Sequence, residues 1–380
     1  MDIEALRTEI DGIDRELVEL FVRRMGVSAQ VAALKKESGK PILDSARERE
    51  LLNKVSDLAG EDFESQARIL YHLILGLSRS HQHHLLGLDS ELTDGIKKAI
   101  EETPAVFPER AMVACQGVEG AYSQLACEKL FSAPNIVYMN TFEGVFQAVD
   151  KGLCRYGVLP LENSTAGSVN RIYDLMLQYN FHIVRSTRLH VPHVLVGNKG
   201  ATLGDITDVY SHEQAVQQCS AFLKANPQLK VHVCENTAMA AKAVAESGRM
   251  NAAALSSNRC AAVYGLEVLE TAVSDVDNNY TRFICISKNP EIYPGANRTS
   301  LMLVLPHKQG ALYQVMAKFN SLGINLLKLE SRPIPGRDFE VMFYFDIDVS
   351  VYADSFLNLL SQLQAEAENF RYLGSYTELV

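Results

Sequence analysis

The sequence predicts a multidomain protein: an all-α domain first, a two-lobed α/β domain in the middle and a small α+β domain last. Three observations predict it. Apolar residues recur at three- and four-residue steps through residues 1–86, the period of helices. Across residues 110–290, short apolar strands alternate with helical stretches, which implies mostly parallel sheets. Across residues 299–380 the order becomes β-α-β-β-α-β. A chain of 380 residues also suggests two or three domains rather than one.

Composition narrows the function. Apolar content of 47% with 22% charged residues is that of a globular protein with sizeable cores. A net charge of -10 argues against a nucleic-acid partner. Any small anionic substrate must then be held by local clusters of cations. The opening MDIEALRTEIDGIDREL is charged throughout, unlike a secretory signal, and no apolar run is long enough to span a membrane. Cys115, Cys127, Cys154, Cys219, Cys234, Cys260 and Cys285 are scattered without a CxxC, which fits reduced thiols in a cytoplasmic protein. The run His81-Gln82-His83-His84 reads as a solvated helix end and not a metal site, since no acidic or Cys ligand is suitably spaced.

In the first domain, Leu6, Ile10, Ile13, Leu17 and Leu20 lead on through Val27, Val31 and Leu34 as one long helix that Gly39 and Pro41 end. Asp44 or Ser45 caps a second helix, and a third runs from about Glu64 to His84. So long an apolar stripe needs more than two short partners, which predicts an intertwined pairing with a second copy. Arg24 and Lys35 lie eleven residues apart, three turns, on one face. Arg7 is rotated from Arg24 and about 25 Å away, so it would serve the other subunit's site. Arg47 and Glu48 open the second helix beside Asp44, and Ser78 and Gln82 share a face of the third. Such a set suits a dicarboxylate ligand with polar oxygens. A solvated charged face would give the same pattern.

In order, Arg7, Arg24, Lys35, Asp44, Arg47, Glu48, Ser78 and Gln82 resemble the active site of the all-helical chorismate mutase family. The resemblance implies rearrangement of chorismate to prephenate, with no nucleophile and no cofactor. Lys35 and Gln82 are the candidates to stabilise charge on the breaking ether oxygen.

Residues 87–109 are polar, carry prolines and read as a linker with room for one short helix.

The middle domain places Ser, Thr, Asn or Gly at the strand ends, just before helices, where free amides attract carboxylates. An internal echo relates Asn140-Thr141 to Asn236-Thr237, Gly152 to Gly248 and Leu159 to Leu255, which suggests two similar lobes around a cleft. The motifs GVEGAYS, GVLPLENSTAGSVN, YSHEQAVQQC and NNYTRF resemble the prephenate dehydratase family over the whole segment. No G-x-G-x-x-G occurs, which argues against a nicotinamide-dependent dehydrogenase. The resemblance implies a fold like periplasmic binding proteins and loss of carbon dioxide and hydroxide from prephenate. It makes Thr281 the proton-donating or hydrogen-bonding group, with Asn163, Ser211 and Gln218 orienting the substrate and Arg282 pairing with a carboxylate. A threonine is a poor acid, so Glu162, His212 or water could stand behind it as the proton source.

The last domain has a ferredoxin-like plan. Its turn at Gly310, Ala311 and Leu312 and its strand end at Glu330, Ser331 and Arg332 resemble the ACT domain of prephenate dehydratases. That implies phenylalanine bound between paired domains, and feedback inhibition. A dimerisation domain without a ligand is the alternative there. For the whole chain, the rivals to a bifunctional enzyme are a non-catalytic amino-acid sensor and an enzyme that keeps only one activity.

Overall fold

The structure is a computed structural model that describes residues 2–85, 91–334, 336–337 and 340–380. Its first element, α1 (Ile3–Ser38), is ended by Gly39, whose φ of 65° is the left-handed conformation that glycine adopts without penalty. Next comes α2 (Ser45–Leu85), which is broken at Gly60, where φ is 71° and ψ 172°. The expected second and third helices are the two halves of this element. Asp44 Oδ1 accepts from the Arg47 amide and caps it. The bundle buries Ala32, Leu52, Val55 and Leu75, but leaves Ile10, Ile13, Leu17 and Leu20 of α1 51–55% exposed. No described helix is long and apolar enough to cross a membrane.

The expected linker is more than a connector. It holds α3 (Glu91–Glu102), whose Ile96 and Ala99 are buried in the apolar core of the C-terminal domain.

Lobe 1 is built from β1 (Met112–Gln116), α4 (Tyr122–Leu130), β2 (Asn135–Met139), α5 (Phe142–Asp150), β3 (Tyr156–Asn163), β4 (Gly167–Ser168), α6 (Asn170–Gln178) and β5 (His182–His190). The chain then crosses into lobe 2: β6 (Val194–Gly197), β7 (Asp208–Ser211), α7 (Glu213–Gln218), α8 (Ser220–Ala225), β8 (Lys230–Val233), α9 (Thr237–Ser247), β9 (Ala252–Ser256), α10 (Asn258–Tyr264) and β10 (Glu267–Glu270). It returns to lobe 1 as β11 (Tyr280–Ser287). Lobe 2 has the strand order β10-β6-β9-β7-β8. Both sheets are mixed, which corrects the expectation of mostly parallel strands. β11 runs antiparallel between β3 and β5, and β6 antiparallel between β9 and β10, because each adjoins a crossing between lobes.

The internal echo has a structural counterpart. Thr141 caps α5 and Asn236 caps α9, so the two helices start one position apart in the repeat. Leu159 and Leu255 are fully buried in β3 and β9.

The C-terminal domain comprises β12 (Arg298–Val304), α11 (Ala311–Ser321), β13 (Asn325–Pro333), β14 (Val341–Asp348), α12 (Asp354–Glu366) and β15 (Asn369–Tyr376). Its order, β13-β14-β12-β15, is antiparallel throughout and matches the ferredoxin-like plan. One face of the sheet packs on α3, α11 and α12. The other buries Met302, Tyr344, Leu373 and Tyr376 against Ile183, Ile286 and Tyr173 of lobe 1. Gly374 permits this approach: a Cβ there would overlap the Ile183 carbonyl. Beyond β15, β16 (Glu378–Leu379) extends the lobe 1 sheet, giving β16-β5-β11-β3-β1-β2 with β4 on β3. The C-terminal domain therefore shares a sheet with the middle one.

Candidate active sites

In the helical domain, Arg24 is half-buried and Arg23 exposed, so Arg24 is the arginine that faces the bundle. Ser28, one turn on, shares a 2.5 Å hydrogen bond with Ser78 and accepts one of 2.9 Å from Gln82 Nε2. Gln82 Oε1 is buried without a partner, an unsatisfied group at a polar site. Lys35 Nζ donates to the Ile42 carbonyl at 2.5 Å, which ties the end of α1 to the turn before α2. Glu48 accepts from Arg79 at 2.5 Å. Two expected members stand apart within one chain: Arg7 pairs with Glu4 and Arg47 with Glu50, with arginine side chains 65% and 61% exposed. Ser28 was missed, although it sits four residues after Arg24 and seven before Lys35, on their face of the helix. His83 and His84 of the histidine run have side chains outside the described residues.

The second site lies where the chain crosses between lobes. Antiparallel register sets Thr281 opposite Asn163 and Arg282 opposite Glu162. Successive residues of a strand face opposite sides, so these are two different sites on two faces of one sheet. On the cleft face, Asn163 Nδ2 donates to Thr281 Oγ1 at 2.9 Å and to Asn279 Oδ1 at 2.7 Å. Asn163 Oδ1 accepts from the amides of Thr165 and Ala166 and from the Thr165 hydroxyl. Gln218, at the end of α7 in lobe 2, reaches across. Its Nε2 donates to Thr165 Oγ1 at 2.5 Å, and its Oε1 accepts from Asn279 at 3.1 Å and from His193 Nε2 at 2.9 Å. That assignment makes His193 the Nε2–H tautomer. Burial, only partly opposed by Gln218, holds His193 below its ordinary value of 6.5, so it stays neutral.

This network is uncharged, and both lobes contribute to it. Thr281 Oγ1 already accepts a hydrogen bond, so its own proton is free to be donated into the cleft. Asn279, Thr165 and His193 were missed. Asn279 stands two residues before Thr281, the strand period, which was a usable signal; Thr165 is brought in by the turn after β3, where it bonds Asn163 Oδ1.

Arg282 departs from the expectation of a carboxylate-binding group in the cleft. It is 4% exposed and faces the C-terminal domain. There it pairs with Glu162 at 3.2 Å, with Glu378 at 3.2 Å and with Asp346, and it donates to Tyr376 at 2.6 Å. Burial alone would lower its pKa; Tyr376 and Asp346 more than offset that, and it remains charged. Glu162 is turned the same way and takes Lys328 at 2.5 Å. Burial raises its pKa, but Lys328 and Arg282 outweigh burial and hold it below 4.5. A carboxylate so held is not a proton source for Thr281. His212 accepts from the Gln214 amide as the cap of α7. Ser211 is fully buried and donates to the Leu255 carbonyl, so its hydroxyl ties β7 to β9.

In the C-terminal domain, Gly310 caps α11 with a φ of 79° and lines a cavity of about 740 Å³ facing the helical domain. Ala311 and Leu312 line a second, of about 480 Å³, with Lys308, Phe343 and Glu368. Glu330 and Arg332 do not join them within one chain. Glu330 accepts from Ser168 at 2.7 Å and Arg332 donates to Asp174 at 3.1 Å, both in lobe 1. Ser331 alternates to the exposed face.

A cation-bearing helical bundle joined to a neutral polar cleft between two α/β lobes defines a multifunctional enzyme of small anionic substrates. The comparisons with known proteins say which. The family model described as chorismate mutase type II matches residues 6–83, and that of prephenate dehydratase matches residues 113–291. The bifunctional chorismate mutase/prephenate dehydratase of Escherichia coli K12 is 30% identical over 98% of this chain and 95% of its own. An Arabidopsis thaliana arogenate dehydratase/prephenate dehydratase is 39% identical over 70% of this chain and 73% of its own. The solved prephenate dehydratase of Arthrobacter aurescens, in complex with L-Phe, is 26% identical with a TM-score of 0.64, over 70% of this chain and 90% of its own. The chain belongs to the bifunctional chorismate mutase/prephenate dehydratase family. It converts chorismate to prephenate and prephenate to phenylpyruvate, in phenylalanine biosynthesis.

Proposed function

We propose that the two reactions run at the two sites described, and that phenylalanine restrains them through the C-terminal domain. In the bundle, Arg24 and Lys35 with Ser78 and Gln82 hold the two carboxylates and the ether bridge of chorismate in the reactive conformer. Asp44 and Glu48 hold the hydroxyl side. Arg7 and Arg47, which point away within one chain, complete the site in an intertwined dimer, Arg7 from the second copy. The exposed stripe of α1 supports that pairing. The reaction is intramolecular, so positioning and charge stabilisation suffice.

In the cleft, prephenate loses its ring carboxylate as carbon dioxide. The electron pair of that bond moves into the ring, and the hydroxyl opposite departs as water once protonated. Thr281 donates the hydrogen bond or proton to that hydroxyl, and Asn163, Asn279 and Gln218 fix its direction. The observation that carries this is the Asn163-to-Thr281 bond, which leaves the threonine proton unspent. A relay to Thr281 comes from solvent, since Glu162 faces elsewhere. Phenylalanine fits the cavity beside Ala311 and Leu312, where apolar walls meet Lys308 and Glu368. The enzyme acts in the cytoplasm.

The test feeds chorismate to the full chain and follows prephenate and phenylpyruvate, with and without millimolar phenylalanine. Both products, both reduced by phenylalanine, are expected. Unchanged rates with phenylalanine would remove the regulatory reading.

A further inference from the structure

The helical domain meets the C-terminal domain through a row of four charges. Lys318 of α11 holds Glu366 of α12 at 2.5 Å, Glu366 lies 3.8 Å from Arg79 Nε, and Arg79 Nη1 holds Glu48 at 2.5 Å. The signs alternate. The four side chains are 16%, 30%, 15% and 23% exposed, so the row is largely shielded from water and salt. One end is a carboxylate of the mutase site. The other stands two turns along the helix that begins at Ala311, beside the effector cavity.

Arg79 follows Ser78 directly, so it points about 100° around the helix from Ser78 and about 60° from Gln82. Its side chain leaves the polar face of the site and reaches the first turn of α2. Its other surroundings among the described residues are cationic or neutral: the adjoining cavity is lined by Arg68, His72, Arg79, His81 and Lys318, with no carboxylate among the described side chains. Burial, and then the Arg68 charge, keep His72 below its ordinary value. Glu48 and Glu366 are therefore the two anions that compete for Arg79 among the described residues. Glu48 has the closer contact. A shift of α12 by the 1–2 Å that is roughly usual for helices in switching proteins would change that balance.

We propose that Arg79 is a positioning residue of the mutase site: it fixes the Glu48 carboxylate for chorismate, and through Glu366 and Lys318 it makes that grip depend on how α11 and α12 sit. The proposal rests on the reading of Glu48 as a substrate contact. It goes further by naming the residue through which the C-terminal domain reaches the mutase.

The test uses the full chain, with mutase and dehydratase assayed separately from chorismate and from prephenate. Arg79→Met is expected to raise the mutase KM about tenfold, the loss of one hydrogen bond to a charged group, with dehydratase unchanged. Arg79→Lys should recover part of it. Glu366→Gln should keep basal mutase activity and shift the phenylalanine concentration that half-inhibits the mutase by about threefold or more, without shifting that of the dehydratase. Mutase within twofold of the unaltered chain in Arg79→Met, or equal loss of both activities, overturns the positioning role. An unshifted phenylalanine response of the mutase in Glu366→Gln, or none in the unaltered chain, overturns the link. Glu48→Gln with unchanged mutase kinetics would remove the reading beneath the proposal, whatever Arg79→Met does.

Discussion

Arg282 and Asp346 form a buried ion pair across the boundary between the dehydratase sheet and the C-terminal sheet. Arg282 lies on the strand that carries Thr281 but faces away from the cleft. Asp346 is fully buried and also accepts from the hydroxyls of Ser300 and Tyr344. With Glu162 and Glu378 on the same guanidinium, the strand that carries Thr281 is anchored by charge as well as by apolar packing.

Removing that cation strands Asp346. Arg282→Met leaves this buried carboxylate without a cation, while Glu162 keeps Lys328 and Glu378 keeps Arg298, and is expected to destabilise the chain by ~3–5 kcal/mol, the usual result of breaking a buried pair. Asp346→Asn should do less, because Glu162 and Glu378 still neutralise the arginine. Thermal unfolding of the two variants checks the order; equal losses would contradict it.

The same network sets an acid limit. The folded-state pKa of Glu162 lies below its ordinary 4.5, so its contribution to stability is present above that value. It is lost as pH falls through the lower folded-state value. Lys328→Met removes the cation that does most to offset burial at Glu162, and should move the midpoint of acid unfolding to higher pH. Circular dichroism during acid titration reads it; an unmoved midpoint contradicts the assignment.

Ser28 is a buried hinge of polar contacts between α1 and α2. Ser28→Ala leaves Ser78 and Gln82 without a shared partner and should lower mutase kcat/KM roughly fivefold, about 1 kcal/mol for one hydrogen bond. Dehydratase assayed from prephenate should not change. Unaltered mutase kinetics would show that the hydroxyl is dispensable.

The exposed stripe of α1 makes a further demand. Ile13→Glu places a charge in the proposed interface and should reduce both the oligomer size seen by sedimentation and the mutase rate. Dehydratase should survive. Full mutase activity in a monomeric variant would exclude a contribution of Arg7 from a second copy.

Much of this was legible in the residues. Helical spacing showed the bundle, and strand–helix alternation showed the two lobes. Asn163, Gln218 and Thr281 meet as their motifs implied. Arg282 was misread because it adjoins Thr281 in sequence. In a strand, adjacency means opposite faces, so Thr281 in the cleft already required Arg282 to leave it. Asn279 follows from the same period, whereas Thr165 lies in the turn between β3 and β4 and does not. Arg79 and His193 were not readable in this way. Their partners, Glu366 and Gln218, come from other domains or lobes, and no local pattern carries a contact between distant segments. The packing of α3 on the C-terminal domain was hidden for the same reason: its apolar face is short, and its partner lies some two hundred residues on.

The central claim is that one chain carries two separate sites and that Thr281 serves only the second. Feeding chorismate to Thr281→Ala and following both products tests it most directly. Prephenate should accumulate at the unaltered rate, while phenylpyruvate formation falls by about 10²- to 10⁴-fold, the range for a lost proton donor. Phenylpyruvate appearing at the unaltered rate would contradict the account.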